Sequence, residues 1–281
     1  MYPLVQIKNL YKLLLIIFVI FLGCNKEDDL ISKPGTLPPL NLLYKEAFKK
    51  YQTGEWTNSI ELFQKVESRY SYSEWAPKAT LMIMYIYYEA GQGYRAVEYA
   101  NKYKKLYPFG KSMDYVDFII GLSFYEKIET VARDQSNSKF AKKKFKEIIK
   151  KYPDTIYAEE AKYKIDLIDE QLAGKEMYIA RYYMKKSKWI PAIKRLNIIM
   201  NDYGQTIYVT EALHRLVEIY YSLGNINAAK KYAAILGYNF NDSDWYKKSY
   251  KIVGDKDYNI KKVKSKRKLK DRIIQMFKFS K

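Results

Sequence analysis

The sequence predicts an all-α fold, an α-solenoid of about five stacked helix pairs, and three observations lead there. From Leu40 onward apolar residues recur at helical spacing, with almost no alternating run that would mark a strand. Short breaks recur between amphipathic segments: Gly54-Glu55-Trp56, Gly91-Gln92-Gly93-Tyr94, Ser187-Lys188-Trp189 and Gly224-Asn225-Ile226. Four of the segments end in related strings: Ser68-Arg69-Tyr70-Ser71, Lys105-Leu106-Tyr107-Pro108, Lys151-Tyr152-Pro153-Asp154 and Asn201-Asp202-Tyr203-Gly204.

Residues 1–23 read as a signal peptide: Lys8 and Lys12 precede an apolar run from Leu13 to Leu22, which ends at small Gly23. The run is shorter than the roughly 20 residues a spanning helix needs. The next residue, Cys24, is the only cysteine in the chain. Its position suggests a lipid attachment point, and Gly23 before the cysteine resembles the lipobox of bacterial lipoproteins, which implies a covalent diacylglycerol and an N-acyl chain there; an uncleaved anchor helix or a chance cysteine are the alternatives. With Cys24 lipidated no thiol remains for a disulfide or a metal, so stability has to come from packing. Residues 24–39, polar and with three prolines, read as a lipidated tether.

Residues 40–245 hold the helix pairs. A small residue early in each second helix marks the close approach of neighbours: Ser59, Ala96, Ala141, Ala192 and Ala229. Phe63, Phe145 and Leu196, four positions later, are expected to fill the adjoining layer. The spacing exceeds the 34 residues of a tetratricopeptide repeat. An insertion near Ile128–Asn137 and an extra or extended helix, about Ile156 to Leu172, account for the excess. The fold expected is therefore tetratricopeptide-like, with a plain helical bundle as the bland alternative.

Counting back from the markers places Tyr85, Tyr88, Phe118 and Tyr125 near the face formed by the first helices. Each taken singly reads more readily as core. Together they suggest an aromatic groove for an extended peptide. The same frame places Met177, Arg181, Met184, Glu211, His214 and Glu218 in the later pairs, a more polar set suited to a different partner.

Charge is unevenly spread. Residues 246–281 carry +11 of the net +19 and read as a basic tail. In it, Leu269, Ile273, Met276 and Phe277 form one face of a basic amphipathic helix, or else the tail is solvated. Such a tail suits anionic lipid or an acidic protein surface better than nucleic acid in an exported protein. No enzyme is expected. His214 is the sole histidine and reads as a surface or interhelical residue, and no strand-turn-helix serine motif accompanies it. No metal or other cofactor is expected either.

Several strings carry a family resemblance. They are Gly54-Glu55-Trp56 through Arg69-Tyr70, Tyr72-Ser73-Glu74-Trp75-Ala76, Asp114-Tyr115-Val116 followed by Gly121-Leu122, Arg133-Asp134, and Tyr182-Tyr183 before Trp189. Asn239 to Tyr250, with Asp244-Trp245-Tyr246-Lys247, completes the set. Together they resemble the BamD family of lipoproteins, in its alphaproteobacterial form, which serve the bacterial outer-membrane β-barrel assembly complex. The resemblance implies a periplasm-facing subunit, lipid-anchored to the outer membrane. It further implies docking on the POTRA region of a BamA-like barrel, with Arg195 at that contact. Unfolded barrel proteins are the implied substrates, and accessory assembly lipoproteins the implied companions. A tetratricopeptide lipoprotein scaffold for cell-wall synthesis or division is the competing reading.

Overall fold

A computed structural model describes residues 38–254; Cys24, most of the tether and the tail beyond Gly254 lie outside the described residues. Among those described, eleven helices and no strand are found. They are α1 (Leu40–Gln52), α2 (Trp56–Arg69), α3 (Trp75–Glu89), α4 (Gly93–Leu106), α5 (Met113–Tyr125) and α6 (Ser136–Lys151). Then follow α7 (Ile156–Lys185), α8 (Trp189–Asp202), α9 (Tyr208–Ser222), α10 (Ile226–Asn239) and α11 (Asp244–Val253). The all-α, tetratricopeptide-like series of five helix pairs is thus present, with α7 supplying extra length and α11 a closing helix. The chain divides into two compact units, with the boundary between Ala79 and Thr80.

In the first unit α1 and α2 pack through Leu43, Ala47, Phe63 and Val66, all buried. The marker Ser59 is fully buried as well, and its hydroxyl donates to the Ala47 carbonyl at 2.7 Å. That bond satisfies the one polar atom the close crossing encloses. Tyr44 packs edge-on against Phe63 and Trp75, at centroid distances of 5.1 and 4.6 Å.

The second unit holds a succession of clusters. Met84, Ala96, Ala100, Val116, Ile119 and Ile120 join α3, α4 and α5. Phe118, Ala141, Phe145, Ile148, Ala161 and Ile168 join α5, α6 and the first half of α7. The second half of α7 enters the next cluster, where Met177 and Ala180 meet Ala192, Leu196, Leu213 and Leu216. Finally Val217, Ala229, Ala233 and Val253 join α9, α10 and α11. All five predicted markers are buried without residual exposure.

Two backbone devices repeat with the pairs. In four of the five pairs a residue just after the first helix has a left-handed φ, +78° at Gly54, +69° at Gly91 and +75° at Gly224 among them. Ser187 takes the same place at φ 54°, so a serine there adopts the conformation that glycine adopts at the other breaks. Each second helix closes on an aromatic: the amide N–H groups of Tyr70, Tyr107, Tyr152, Tyr203 and Phe240 donate to carbonyls four residues back. The carbonyls of the same five residues then accept from Ser73, Gly110, Thr155, Thr206 and Ser243. The aromatic is therefore a helix terminus and a turn at once.

Two expectations change in detail. The extra helix does not stop near Leu172; α7 runs unbroken for 30 residues and includes the first helix of the fourth pair. The fold does not end at residue 245, because α11 continues to Val253 with Ser249 and Val253 buried. Its start is capped by Ser243, whose hydroxyl accepts from the Tyr246 amide at 3.1 Å, and its end by left-handed Gly254. The insertion is tied down: Lys175 on α7 donates to the carbonyls of Ala132 and Arg133 at 2.7 and 3.2 Å.

Candidate partner-binding surfaces

The four aromatics expected to line a groove do not share one environment. Phe118 is a core residue, 8% exposed, with its ring 5.8 Å from Phe145 and 5.2 Å from Tyr157. This corrects the groove assignment. The physical reason is that α5 is apolar almost all round, with Val116 to Gly121 buried in succession, so it has no free apolar face. Tyr125 is half-buried, edge-on to Phe145 at 6.4 Å and capped by the Lys164 ammonium 4.9 Å from its ring centre.

Tyr85 and Tyr88 differ. Both are half-buried on α3 with polar ends engaged at the surface. The Tyr85 hydroxyl donates to Glu89 at 2.7 Å, one turn away. That of Tyr88 donates across to Glu126 just after α5, at 3.1 Å. Burial and the adjacent Glu126 carboxylate push the Tyr88 phenol up to about 12. Beside it opens a depression of about 280 Å³, bordered by Gly91, Gly93, Ser123 and Lys127. It exists because α4 and α5 cross closely: a β-carbon at Gly93 would sit 3.2 Å from the Ser123 carbonyl oxygen. An apolar ring with a polar rim next to a shallow recess can hold one side chain of an extended peptide.

Arg195 lies on α8, and its Nη1 donates to Glu176 on α7 at 3.0 and 3.4 Å. The arginine side chain is 38% exposed and the glutamate 17%. Its guanidinium is therefore at the surface but already engaged, which fixes its direction.

The later pairs contain a charge network that the sequence located only as scattered polar positions. Arg181 on α7 donates from Nε and Nη2 to the two oxygens of Glu211 on α9. Arg215 donates to the same glutamate at 3.2 Å and to Glu218 at 2.7 Å. Glu218 also meets His214 Nε2 at 3.2 Å, while His214 Nδ1 is 2.8 Å from the buried Ser249 hydroxyl on α11. The Trp245 ring covers both His214 and Arg215, at 5.0 and 5.2 Å. His214 is thus interhelical, and its task is to hold the closing helix. The 211, 214, 215, 218 spacing on one helix face was the available signal.

Burial alone would raise the Glu218 carboxyl, but the hydrogen bonds from His214 and Arg215 outweigh it and hold the group at about 2. Glu211 is lowered too, with burial opposed by Arg181 and Arg215. A depressed folded-state value means the stabilisation is complete above the ordinary 4.5 and disappears as pH falls towards about 2. The unfolding midpoint in denaturant is therefore expected to decrease from pH 5 to pH 3, and Glu218→Gln to flatten that decrease. An equally steep decrease in the variant would remove Glu218 from this account.

Among the described residues no group of histidine, cysteine and acidic side chains is placed to hold a metal, and no helix is long and apolar enough to cross a membrane. Residues 38–236 match the YfiO family, described as "Outer membrane lipoprotein". The outer membrane protein assembly factor BamD of Caulobacter vibrioides is 36% identical over 217 residues, covering 77% of this chain and 71% of the relative. The chain belongs to the YfiO/BamD family. BamD of Rickettsia prowazekii is 35% identical over 248 residues, 88% of this chain and 98% of that protein. BamD of a Neisseria meningitidis serogroup A strain is 30% identical over 211 residues, 72% of this chain and 79% of its own. The BamD match spans both units and every helix through α9, and the Rickettsia alignment covers the greatest share of the chain among these three. Tyr85, Tyr88 and Arg195 all fall inside the matched residues, while α11 lies beyond them.

Proposed function

We propose that this chain is the lipid-anchored, non-catalytic BamD subunit of an outer-membrane β-barrel assembly machinery. Family membership across residues 38–236 carries the reading. Cys24 would bear the lipid and hold the helix pairs at the periplasmic face of the outer membrane. Tyr85 and Tyr88, with the recess beside them, would receive aromatic side chains from the extended targeting segment of an unfolded barrel. The α7–α8 surface around Arg195 would dock on the POTRA region of a BamA-like partner. No enzyme activity is part of this reading. Affinity purification of the full chain from outer membranes in mild detergent is the test. Co-purification of a POTRA-bearing barrel is the expected result; recovery of cell-wall synthases without any barrel would overturn it.

The two surfaces have separate tests. Tyr85→Ala combined with Tyr88→Ala is expected to cut photocrosslinking to a barrel-derived C-terminal peptide several-fold while leaving the circular dichroism spectrum unchanged. Undiminished crosslinking would place the peptide elsewhere. Arg195→Glu is expected to weaken binding to the terminal POTRA domain about tenfold, the scale for an interfacial charge reversal. Because Glu176 would then face a second carboxylate, Arg195→Ala is the companion variant. Unchanged affinity of both variants in calorimetric titration would take Arg195 out of the interface.

A further inference from the structure

Helix α6 carries seven lysines in sixteen residues against a single acidic residue, Glu147. Two of those lysines are committed: Lys142 pairs with Asp169 on α7, and Lys144 with Glu147 at 3.0 Å. Lys139, Lys143, Lys146 and Lys150 are exposed and form no side-chain hydrogen bond or ion pair among the described residues. Their spacing of four, three and four places them in one row on the helix. At about 1.5 Å per residue the row is roughly 16 Å long.

The row does not face open solvent alone. It edges a depression of about 530 Å³ whose other lining includes Leu172 on α7 and Tyr203 at the end of α8. The committed Lys142 lies 5.3 Å from the centre of the Tyr203 ring. Cationic edge and apolar floor are therefore adjacent on the second unit.

We propose that this is a second docking surface, which takes an acidic polypeptide segment carrying an aromatic or aliphatic side chain between its carboxylates. Charge complementarity identifies the occupant. Four exposed ammonium groups in line, none held by a side-chain hydrogen bond, match carboxylates spaced along an extended chain, and the apolar floor matches the side chain between them. A planar anionic bilayer would meet the lysine tips but leave the recess unfilled. The surface is separate from Tyr85 and Tyr88, so a partner here and a peptide there need not compete. It holds whether or not the assembly role proposed above does.

The test compares the full chain with Lys143→Gln/Lys146→Gln/Lys150→Gln by fluorescence anisotropy, at low ionic strength. The C-terminal basic residues are the same in both proteins, so any difference belongs to α6. Three probes are used: a labelled peptide of alternating Glu and Phe, its Gln-for-Glu analogue, and vesicles of phosphatidylglycerol and phosphatidylethanolamine. The triple variant is expected to bind the acidic peptide about tenfold more weakly, each exposed pair contributing roughly two- to threefold. The Gln analogue should bind neither protein. Lys146→Gln alone should show a two- to threefold loss, which keeps the test decisive if the triple variant is less helical. Equal affinity of wild type and variants for the acidic peptide overturns the proposal. So does a loss confined to vesicle binding, which would assign the row to the membrane.

Discussion

Phe145→Ala should lower the stability of the second unit by about 4 kcal/mol, the scale for emptying a buried aromatic site. Phe145 has no exposed surface and lies in the cluster that joins α5, α6 and α7. Its ring touches Phe118 and Tyr125, and it also fills the space a side chain at residue 121 would need: a β-carbon there would lie 2.6 Å from Phe145 Cε1. The collapse available to neighbours is small, because α5 is buried on nearly every side. A paired substitution makes the argument sharper. Gly121→Ala alone should destabilise, since overpacking costs about 1–3 kcal/mol and the helix-propensity gain is about 1 kcal/mol. Placed with Phe145→Ala, the same methyl group finds room and should become stabilising. Urea unfolding followed at 222 nm gives all four corners of the cycle. Additive effects, or a loss below about 1 kcal/mol for Phe145→Ala, would show that this aromatic is not what spaces α5 from α6.

Glu211→Ala should cost about 2–3 kcal/mol, between the scale for a fully buried pair and that for an exposed one. Glu211 is 6% exposed and receives both Arg181 and Arg215. Without it two guanidinium groups face each other at a helix junction, one of them beneath Trp245. The damage should reach α11, because Arg215 orients Glu218, and Glu218 meets the imidazole that holds Ser249. Amide hydrogen exchange over 244–253 is therefore expected to accelerate more than exchange in α5. A change in stability below about 0.5 kcal/mol, with exchange in α11 unaltered, would reduce the network to solvated charges.

The places where the sequence was readable are those where one residue type is physically required. A close helix crossing excludes large side chains, so Ser59, Ala96, Ala141, Ala192 and Ala229 marked the pairs. A left-handed residue after a helix favours glycine, so Gly54, Gly91 and Gly224 marked the turns. Where the requirement is tertiary, the sequence was ambiguous. Nothing local separates an aromatic facing a recess from one in the core, so Phe118 looked equivalent to Tyr88 until its neighbours were in place. Gly174 in α7 is not a break: it lets Tyr208 and Val131 approach, with contacts of 3.0 and 3.1 Å to a notional β-carbon. Helix α11 reads as part of the tail because Lys247, Lys248 and Lys251 continue its basic character. Its cap Ser243 and its buried Val253 were the better guides. Arg195 is a separate case, since the contact assigned to it rests on resemblance and not on any local requirement.

The 30-residue helix α7 changes how the second unit comes apart. In a repeat array each pair contacts only its neighbours, and opening can spread from an end one pair at a time. Here the first half of α7 belongs to the cluster with Phe145 and the second half to the cluster with Leu196. Fraying cannot pass from one to the other without breaking a continuous run of backbone hydrogen bonds in mid-helix. The clusters on either side should therefore open as a single cooperative foldon, with amides along α7 exchanging with nearly one common free energy. A helix that began as surplus length in a repeat count acts as the latch that makes its neighbours melt together.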